Sequence, residues 1–350
     1  MQRLVVHGWI FGLLGALAAE ARAATNLPPS DPRARARVVI IEDNRATVAF
    51  NTQEEIIRKM VEAGVTRVTG EKAPGDAWRK LVSPQDRVGL KVASTPGQYS
   101  GTRPAVVAAV AEGLIAAGVP ATNIVIWDRN LVDLRLAGYF DLAGRLGVRV
   151  AASLDKGYDE KRFYDTPLLG RLVFGDHEFG KTGEGIGRKS FVSKLVTREM
   201  TKIINITPML NHNVTGVSGH LWSLALGSVD NILRFEADED RLFTAIPEIY
   251  ALPVLGDRVA LNITDALVCQ YEGGEHGLLH YSTTLNELRF STDAVALDVL
   301  SVRELERQRK PPRPAVTEKF MELYRNAALV EIGVCEQQRI HIERVNLNGQ

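Results

Sequence analysis

Cysteine is nearly absent: 350 residues contain two, Cys269 and Cys335. A disulfide-knit scaffold is excluded. Two thiols this far apart cannot assemble a four-thiolate zinc or iron–sulfur site, which needs closely spaced cysteine pairs, so no iron–sulfur cluster is expected. The two residues are compatible with one disulfide in an oxidising compartment or with two free thiols. Charge of one sign is missing as well. Lys+Arg and Asp+Glu both number 42 and aromatics make up 7%, so the basic footprint of a general nucleic-acid binder is absent and no nucleic-acid partner is expected. No stretch reaches the roughly 18–20 uninterrupted apolar residues of a membrane span. What remains is ordinary, with 45% hydrophobic and 24% charged residues. That balance excludes disordered and collagenous chains and leaves length for one large α/β domain or two lobes.

Residues 1–23 read as a targeting segment. A short positive start at Met1 to Arg3 precedes a mostly apolar run over residues 4–19, and Ala21-Arg22-Ala23 offers the small-x-small pattern that signal peptidase cuts. The expectation is a signal peptide cleaved after Ala23, a linker over residues 24–36, and a single α/β domain over 37–350. An insertion at residues 153–194 could divide that domain into two lobes. His7 interrupts the apolar run, and no twin arginine precedes it, which favours a Sec-type route to the periplasm or the exterior. No transmembrane span is expected after cleavage. An uncleaved N-terminal anchor is the alternative. Cleavage removes two cations and one anion, leaving a net charge of −1.

Downstream, short β-branched runs alternate with helical patterns. Residues 38–42, 87–93, 123–128, 145–151, 202–207, 258–263 and 339–345 read as strands. Residues 52–63, 76–82, 104–118, 292–309 and 317–328 read as helices, the first capped by Asn51 or Thr52, with a break at the prolines 311–314. This order predicts an α/β fold with a mainly parallel sheet, helices on both faces and right-handed crossovers. Between residues 153 and 194, Gly170, Gly175, Gly180, Gly183, Gly185 and Gly187 punctuate a polar stretch, which predicts an inserted β-hairpin or loop. Gly183, Gly185 and Gly187 lack the spacing and the strand-to-helix context of a dinucleotide loop.

The densest cluster of reactive side chains lies between Asn205 and His220. A strand leaves through Pro208 into a loop bearing Asn211, His212, Asn213, Thr215 and Ser218 before a helical run. Loops at the carboxyl ends of parallel strands are where α/β sheets bind ligands. His212 could act there as a general base or a metal ligand, or hydrogen-bond its own loop. A second loop follows the strand that carries Lys91 and places Thr102 and Arg103 at the threshold of a helix, suited to an anion. A third begins at Asp128 and Asn130. With a parallel sheet all three open on one edge. The candidate catalytic residues are therefore His212 and Asp128, and the candidate substrate-binding residues are Lys91, Thr102, Arg103, Asn130, Asn211, Thr215 and Ser218. His276 and His280, four apart beside Glu275, suggest a divalent-metal site completed by His212 and His220, although Gly273, Gly274 and Gly277 argue for a loop there.

Several ordered strings carry a resemblance: Val88-Gly-Leu-Lys-Val, Thr102-Arg-Pro, Asn123-Ile-Val-Ile-Trp-Asp, Ile203-Ile-Asn-Ile, His212-Asn-Val-Thr-Gly-Val-Ser-Gly, Leu226-Gly-Ser-Val-Asp-Asn and Ser291-Thr-Asp-Ala-Val-Ala-Leu-Asp. Together they resemble the domain-of-unknown-function family 362 over about residues 85–345. Some members of that family carry ferredoxin-type segments, which this chain lacks. In the family the central loop usually has two lysines. Here Leu210 and Trp222 stand in those places, while His212, Thr215 and Gly216 persist. The Thr-Arg-Pro turn is also distantly similar to the front of the nickel-pincer lactate racemases, where it borders a substrate pocket. That likeness implies a small anionic ligand near Arg103, not racemisation, because no histidine follows the next strand.

The leading expectation is an exported enzyme acting on a small anionic metabolite, with Arg103 on the anion, His212 as base or metal ligand and Asp128 orienting a partner. A non-catalytic ligand-binding or scaffolding module is the alternative, favoured by the missing lysines. A metal-carrying redox accessory protein is the third.

Overall fold

Aliphatic runs buried on both sides build the centre of the molecule. In the computed structural model, which describes residues 36–349 apart from 237 and 275, these runs form most of the inner strands of a sheet whose eight main strands also include a more polar one and a mostly exposed edge. The eight are β1 (Ala36–Glu42), β2 (Val88–Lys91), β3 (Ile124–Asp128), β4 (Arg149–Ala152), β5 (Lys202–His212), β6 (Val259–Gln270), β7 (Ser282–Ser291) and β8 (Ile340–Asn346). Their order is β8-β1-β7-β6-β5-β2-β3-β4, and a two-residue strand, Gly216–Val217, pairs back onto the end of β5. Only β7 runs against its neighbours, so the sheet is mainly parallel, as an α/β fold requires. The expected signal peptide and linker lie outside the described residues, apart from Ala36. Among the described residues no helix is long and apolar enough to cross a membrane.

Alternate strand residues feed two cores. Val39, Ile41, Leu90, Ile126, Ile204 and Ile263 point to one face, beneath the helices Glu54–Thr69 and Pro104–Ala116. Val38, Ile40, Trp127, Ile203 and Met209 point to the other, beneath His220–Ser228, Glu239–Tyr250, Ala294–Gln308 and Pro314–Leu329. Residues 153–194 include the expected hairpin, Tyr158–Asp165 against Lys189–Ser193.

Several boundaries differ from the sequence expectation, each for a local reason. The first helix starts at Glu54 behind Gln53, with no side-chain cap from Asn51 or Thr52, and continues to Thr69, where Gly70 takes a left-handed conformation and ends it. Arg145 belongs to the helix Tyr139–Leu146, which Gly147 terminates in the same way, so the next strand begins only at Arg149. β5 does not stop at Thr207: it passes through Pro208 because β6 skips register there, Asp265 pairing with Pro208 and Cys269 with Met209. Proline has no N–H to give the ladder, and the irregularity absorbs the loss. Both cysteines are free thiols, and burial raises the Cys269 pKa to about 12.

The chain builds β2, β3 and β4 outward in one direction and then returns to place β5 on the other side of β2. The helix after β2 packs on one face and the helix after β5 on the other, so the loops leaving β2 and β5 diverge. That divergence opens the crevice where ligands of open α/β sheets bind.

Candidate functional site at the carboxyl edge of the sheet

β2 sends Val88 and Leu90 into one core and turns Lys91 toward the helix His220–Ser228. The helix lies directly on the lysine because residue 227 is glycine; a Cβ there would come 2.6 Å from Lys91 Cε. Lys91 is 1% exposed and its ammonium donates to Val92 O at 2.6 Å, Asp128 Oδ1 at 2.8 Å and Ser223 Oγ at 2.8 Å. All three of its N–H groups are used. Asp128 is equally occupied: Ser94 donates to Oδ2 from its backbone N at 2.8 Å and its hydroxyl at 2.7 Å, and the Arg129 N–H donates to Oδ1 at 2.8 Å. Burial alone would raise the Asp128 pKa, but the Lys91 charge and the hydrogen bonds from Lys91 and Ser94 outweigh it and hold it below the ordinary value.

This pair forms the floor of a cavity of about 80 Å³ at the crevice, walled by Arg129, Ser218, Trp222 and Ile232. The space suits a few waters or a small polar head group. Two wall groups are underused. Ser218 Oγ is buried and has no hydrogen-bond partner among the described residues. Arg129 donates from Nη1 to Leu226 O at 3.1 Å and Val229 O at 2.7 Å, but among the described residues no carboxylate lies within ion-pair distance of it. Since Lys91 and Asp128 cancel, Arg129 leaves the cavity with one net positive charge.

His212 stands behind this wall, its ring 4.9 Å from that of Trp222. Its Nδ1 accepts the Val214 and Thr215 N–H groups at 3.3 and 3.1 Å, which fixes the proton of the neutral ring on Nε2. Burial lowers its pKa to about 4. His220 is fully buried, with Nε2 2.9 Å from Thr264 Oγ1 and 3.3 Å from Thr207 Oγ1, and burial lowers its pKa to about 3. Both rings are thus neutral above about pH 5. Each folded pKa lies below the unfolded value near 6.5, so their contribution to stability is present above that value and fades as pH falls through it toward 3–4. Titrated by NMR between pH 7.5 and 5.5, both imidazoles are expected to hold neutral chemical shifts; a midpoint near 6.5 for either would contradict this packing.

The other residues expected from sequence are divided. Asn130 lines the same cavity and donates to Asp133 Oδ2 at 3.0 Å. Thr102 donates to Ile206 O at 2.8 Å. Arg103 is committed to the interior: it is 3% exposed, its Nη1 lies 3.0 Å from Asp265 Oδ1, and its backbone N–H donates to Asp265 Oδ2 at 2.9 Å. The guanidinium expected to receive an external anion thus closes an internal pair. Asn211 faces a separate cavity with Arg309 and Arg313 and accepts the Gly274 N–H at 3.1 Å. Thr215 Oγ1 closes its own turn on Val217 O. His276 and His280 are exposed; His280 stacks on Tyr281, and Glu275 is outside the described residues. The four imidazoles do not converge, and among the described residues no group of three or more His, Cys, Asp or Glu is placed to hold a metal ion.

Sequence reasoning passed over three contributors. Arg129 follows the strand-ending Asp128 directly, a position that itself was the signal. Ser223, on the helix His220–Ser228, accepts the Lys91 ammonium. Asp298 does not open its own helix. It accepts the N–H groups of His220 and Leu221 at 2.7 and 3.0 Å and so caps the helix that covers the site.

A family model described as a domain of unknown function, DUF362, matches residues 88–303. The chain belongs to this family. The matched span contains β2 to β7 and every wall residue of the crevice. No curated protein matches. Among solved structures, a structural-genomics crystal structure of a Thermotoga maritima protein is similar over 84% of this chain, with 11% identity and a TM-score of 0.39. This chain covers 61% of that one. The DUF362 motifs named above map onto the crevice: Val88-Gly-Leu-Lys carries Lys91, Ile-Trp-Asp carries Asp128, and Val-Ser-Gly carries Ser218.

Proposed function

We propose that this DUF362 protein binds a small organic anion in the crevice between β2, β3 and the helix His220–Ser228. Arg129 holds the negative charge, Ser218 Oγ accepts or donates one hydrogen bond, and Trp222 and Ile232 cover the apolar side. The observation that supports this most is Arg129, a guanidinium at a cavity wall with carbonyl partners but no carboxylate partner among the described residues. The place of the anion thereby moves from Arg103, which Asp265 neutralises, to Arg129. A thermal-shift screen of small mono- and dicarboxylates and phosphate monoesters at constant ionic strength tests the proposal. At least one class is expected to raise the melting temperature of the wild type, and Arg129→Gln is expected to weaken that ligand about tenfold or more. Equal responses of wild type and variant to every anion would defeat it.

An enzyme acting on that anion is the second reading. It is favoured by the Lys91–Asp128 pair, a proton donor and acceptor 2.8 Å apart that face the same space. His212, neutral and engaged with its own loop, then positions Trp222 instead of moving a proton. Conversion of a bound ligand by the wild type but not by a folded Asp128→Asn variant separates enzyme from binding module.

We also propose export. Its support is the apolar run of residues 4–19 ahead of Ala21-Arg22-Ala23. Protein recovered from the cell envelope should begin at Ala24 by mass spectrometry; an intact Met1 on all of it would contradict cleavage.

A further inference from the structure

At the opposite, amino-terminal edge of the sheet, we infer a second anion site, built for a phosphoryl group. Residues that lead into three parallel strands converge there: Arg87 precedes Val88 of β2, Arg258 precedes Val259 of β6, and the turn Leu195–Glu199 precedes β5. The inserted hairpin adds Lys161 and Arg162. Together they border a cleft of about 540 Å³, lined by Asp159, Lys161, Arg162, Thr197, Arg198 and Arg258.

The charge of this cleft is not compensated. Asp159 is its one lining carboxylate, and it is occupied by Arg198 at 3.2 Å, by Thr197 Oγ1 at 3.0 Å and by the Lys161 N–H at 3.1 Å. Among the described residues no carboxylate lies within ion-pair distance of Lys161, Arg162, Arg258 or the neighbouring Arg87. Arg258 uses Nη1 on the carbonyls of Val196 and Met200, and Arg87 donates to Arg198 O. Carbonyls satisfy the hydrogen bonds of a guanidinium but do not cancel its charge. The Arg258 pKa is depressed first by burial and then by Arg162 and Arg87, as expected where like charges crowd without a counter-ion.

Four lining cations against one carboxylate suit a multiply charged oxyanion better than a lone carboxylate. Arginine forks match the paired oxygens of a phosphoryl group. The volume admits more than that group, so a phosphate ester fits, either as a soluble metabolite or as a phospholipid head group. The site is independent of the crevice: Arg87 and the turn Leu195–Glu199 lie before β2 and β5, whose far ends border the crevice, and the two cavities share no lining residue.

Inorganic phosphate titrated into the whole chain by calorimetry, against chloride at matched ionic strength, tests the inference. The expected result is saturable binding that K161Q/R162Q weakens about tenfold or more, while Arg129→Gln leaves it unchanged. Lys161 and Arg162 are exposed, so that double variant should keep the wild-type melting temperature. Sedimentation with vesicles containing phosphatidylglycerol separates the two sources. Capture by vesicles, reversed by phosphate and lost in K161Q/R162Q, assigns the lipid head group; phosphate binding without capture assigns a soluble ester. Phosphate indistinguishable from chloride, binding unchanged in K161Q/R162Q, or binding lost in Arg129→Gln instead would each overturn the inference.

Discussion

Lys91→Met is expected to destabilise the fold by about 3–5 kcal/mol, the cost of leaving a buried carboxylate without its counter-charge. Lys91 is 1% exposed and Asp128 7%, so solvent does little to screen the loss. The methionine fills most of the aliphatic volume, so the effect isolates the charge. Asp128 would then hold only the Ser94 hydroxyl, the Ser94 N–H and the Arg129 N–H. Adding Asp128→Asn should recover part of the stability, since an amide oxygen in the place of Oδ2 can still accept both Ser94 donors while the charge is gone, at the cost of the Arg129 N–H bond to Oδ1. Urea denaturation of the two variants measures this. A loss under 1 kcal/mol for Lys91→Met would show that water reaches the pair and that the crevice floor is not a dry ionic one.

The second large effect is a stability change whose size depends on pH. Asp298 is 1% exposed, and burial raises its pKa to about 7, against the opposing effect of the Leu221 and His220 N–H bonds. The folded chain therefore holds a proton that the unfolded chain has lost between about pH 4 and 7, and this contribution to stability is full below that window and declines as pH rises through 7. Asp298→Ala removes two caps from the helix His220–Ser228 at any pH, which costs about 1–3 kcal/mol. It also removes the proton linkage. Its deficit relative to wild type is expected to be larger at pH 5 than at pH 8 by about 2–3 kcal/mol, following from two units of pH at about 1.4 kcal/mol each. Denaturation curves at both pH values decide it, and a deficit that grows toward pH 8 would mean that Asp298 is charged in the folded protein.

Much of the fold was legible in the sequence because several inner strands are buried on both faces and read as continuous aliphatic runs. Val88–Lys91 and Ile124–Asp128 were placed within a residue or two, and so was the mostly exposed edge strand Ile340–Asn346. β7 was missed, and its charges explain why. Glu287 and Arg289 sit in the interior of a central strand, where Arg289 pairs with Glu287 and with Glu304 of the helix Ala294–Gln308, a compensation that depends on how that helix packs on the strand. The same limit governs the site. The carboxyl edge of the sheet and its loops followed from strand order, and Lys91, Asp128, Asn130 and Ser218 do meet there. Which arginine remains free did not follow, because Arg103 is paired with Asp265, 162 positions away, while among the described residues the Arg129 guanidinium donates only to carbonyl oxygens and feels the Asp230 charge from beyond ion-pair distance. A histidine in a polar loop also reads alike whether it faces solvent or accepts its own loop's N–H groups, as His212 does.

The central claim is that Arg129 and the crevice, not Arg103 and His212, receive the ligand. A crystal structure of the protein with the tightest anion from the thermal-shift screen tests it most directly. The account predicts the anion's oxygens on the Arg129 guanidinium, one polar atom within hydrogen-bond distance of Ser218 Oγ, and the Arg103–Asp265 pair undisturbed. An anion bound with Arg103 released from Asp265, or seated against His212 with Arg129 facing solvent, would contradict it.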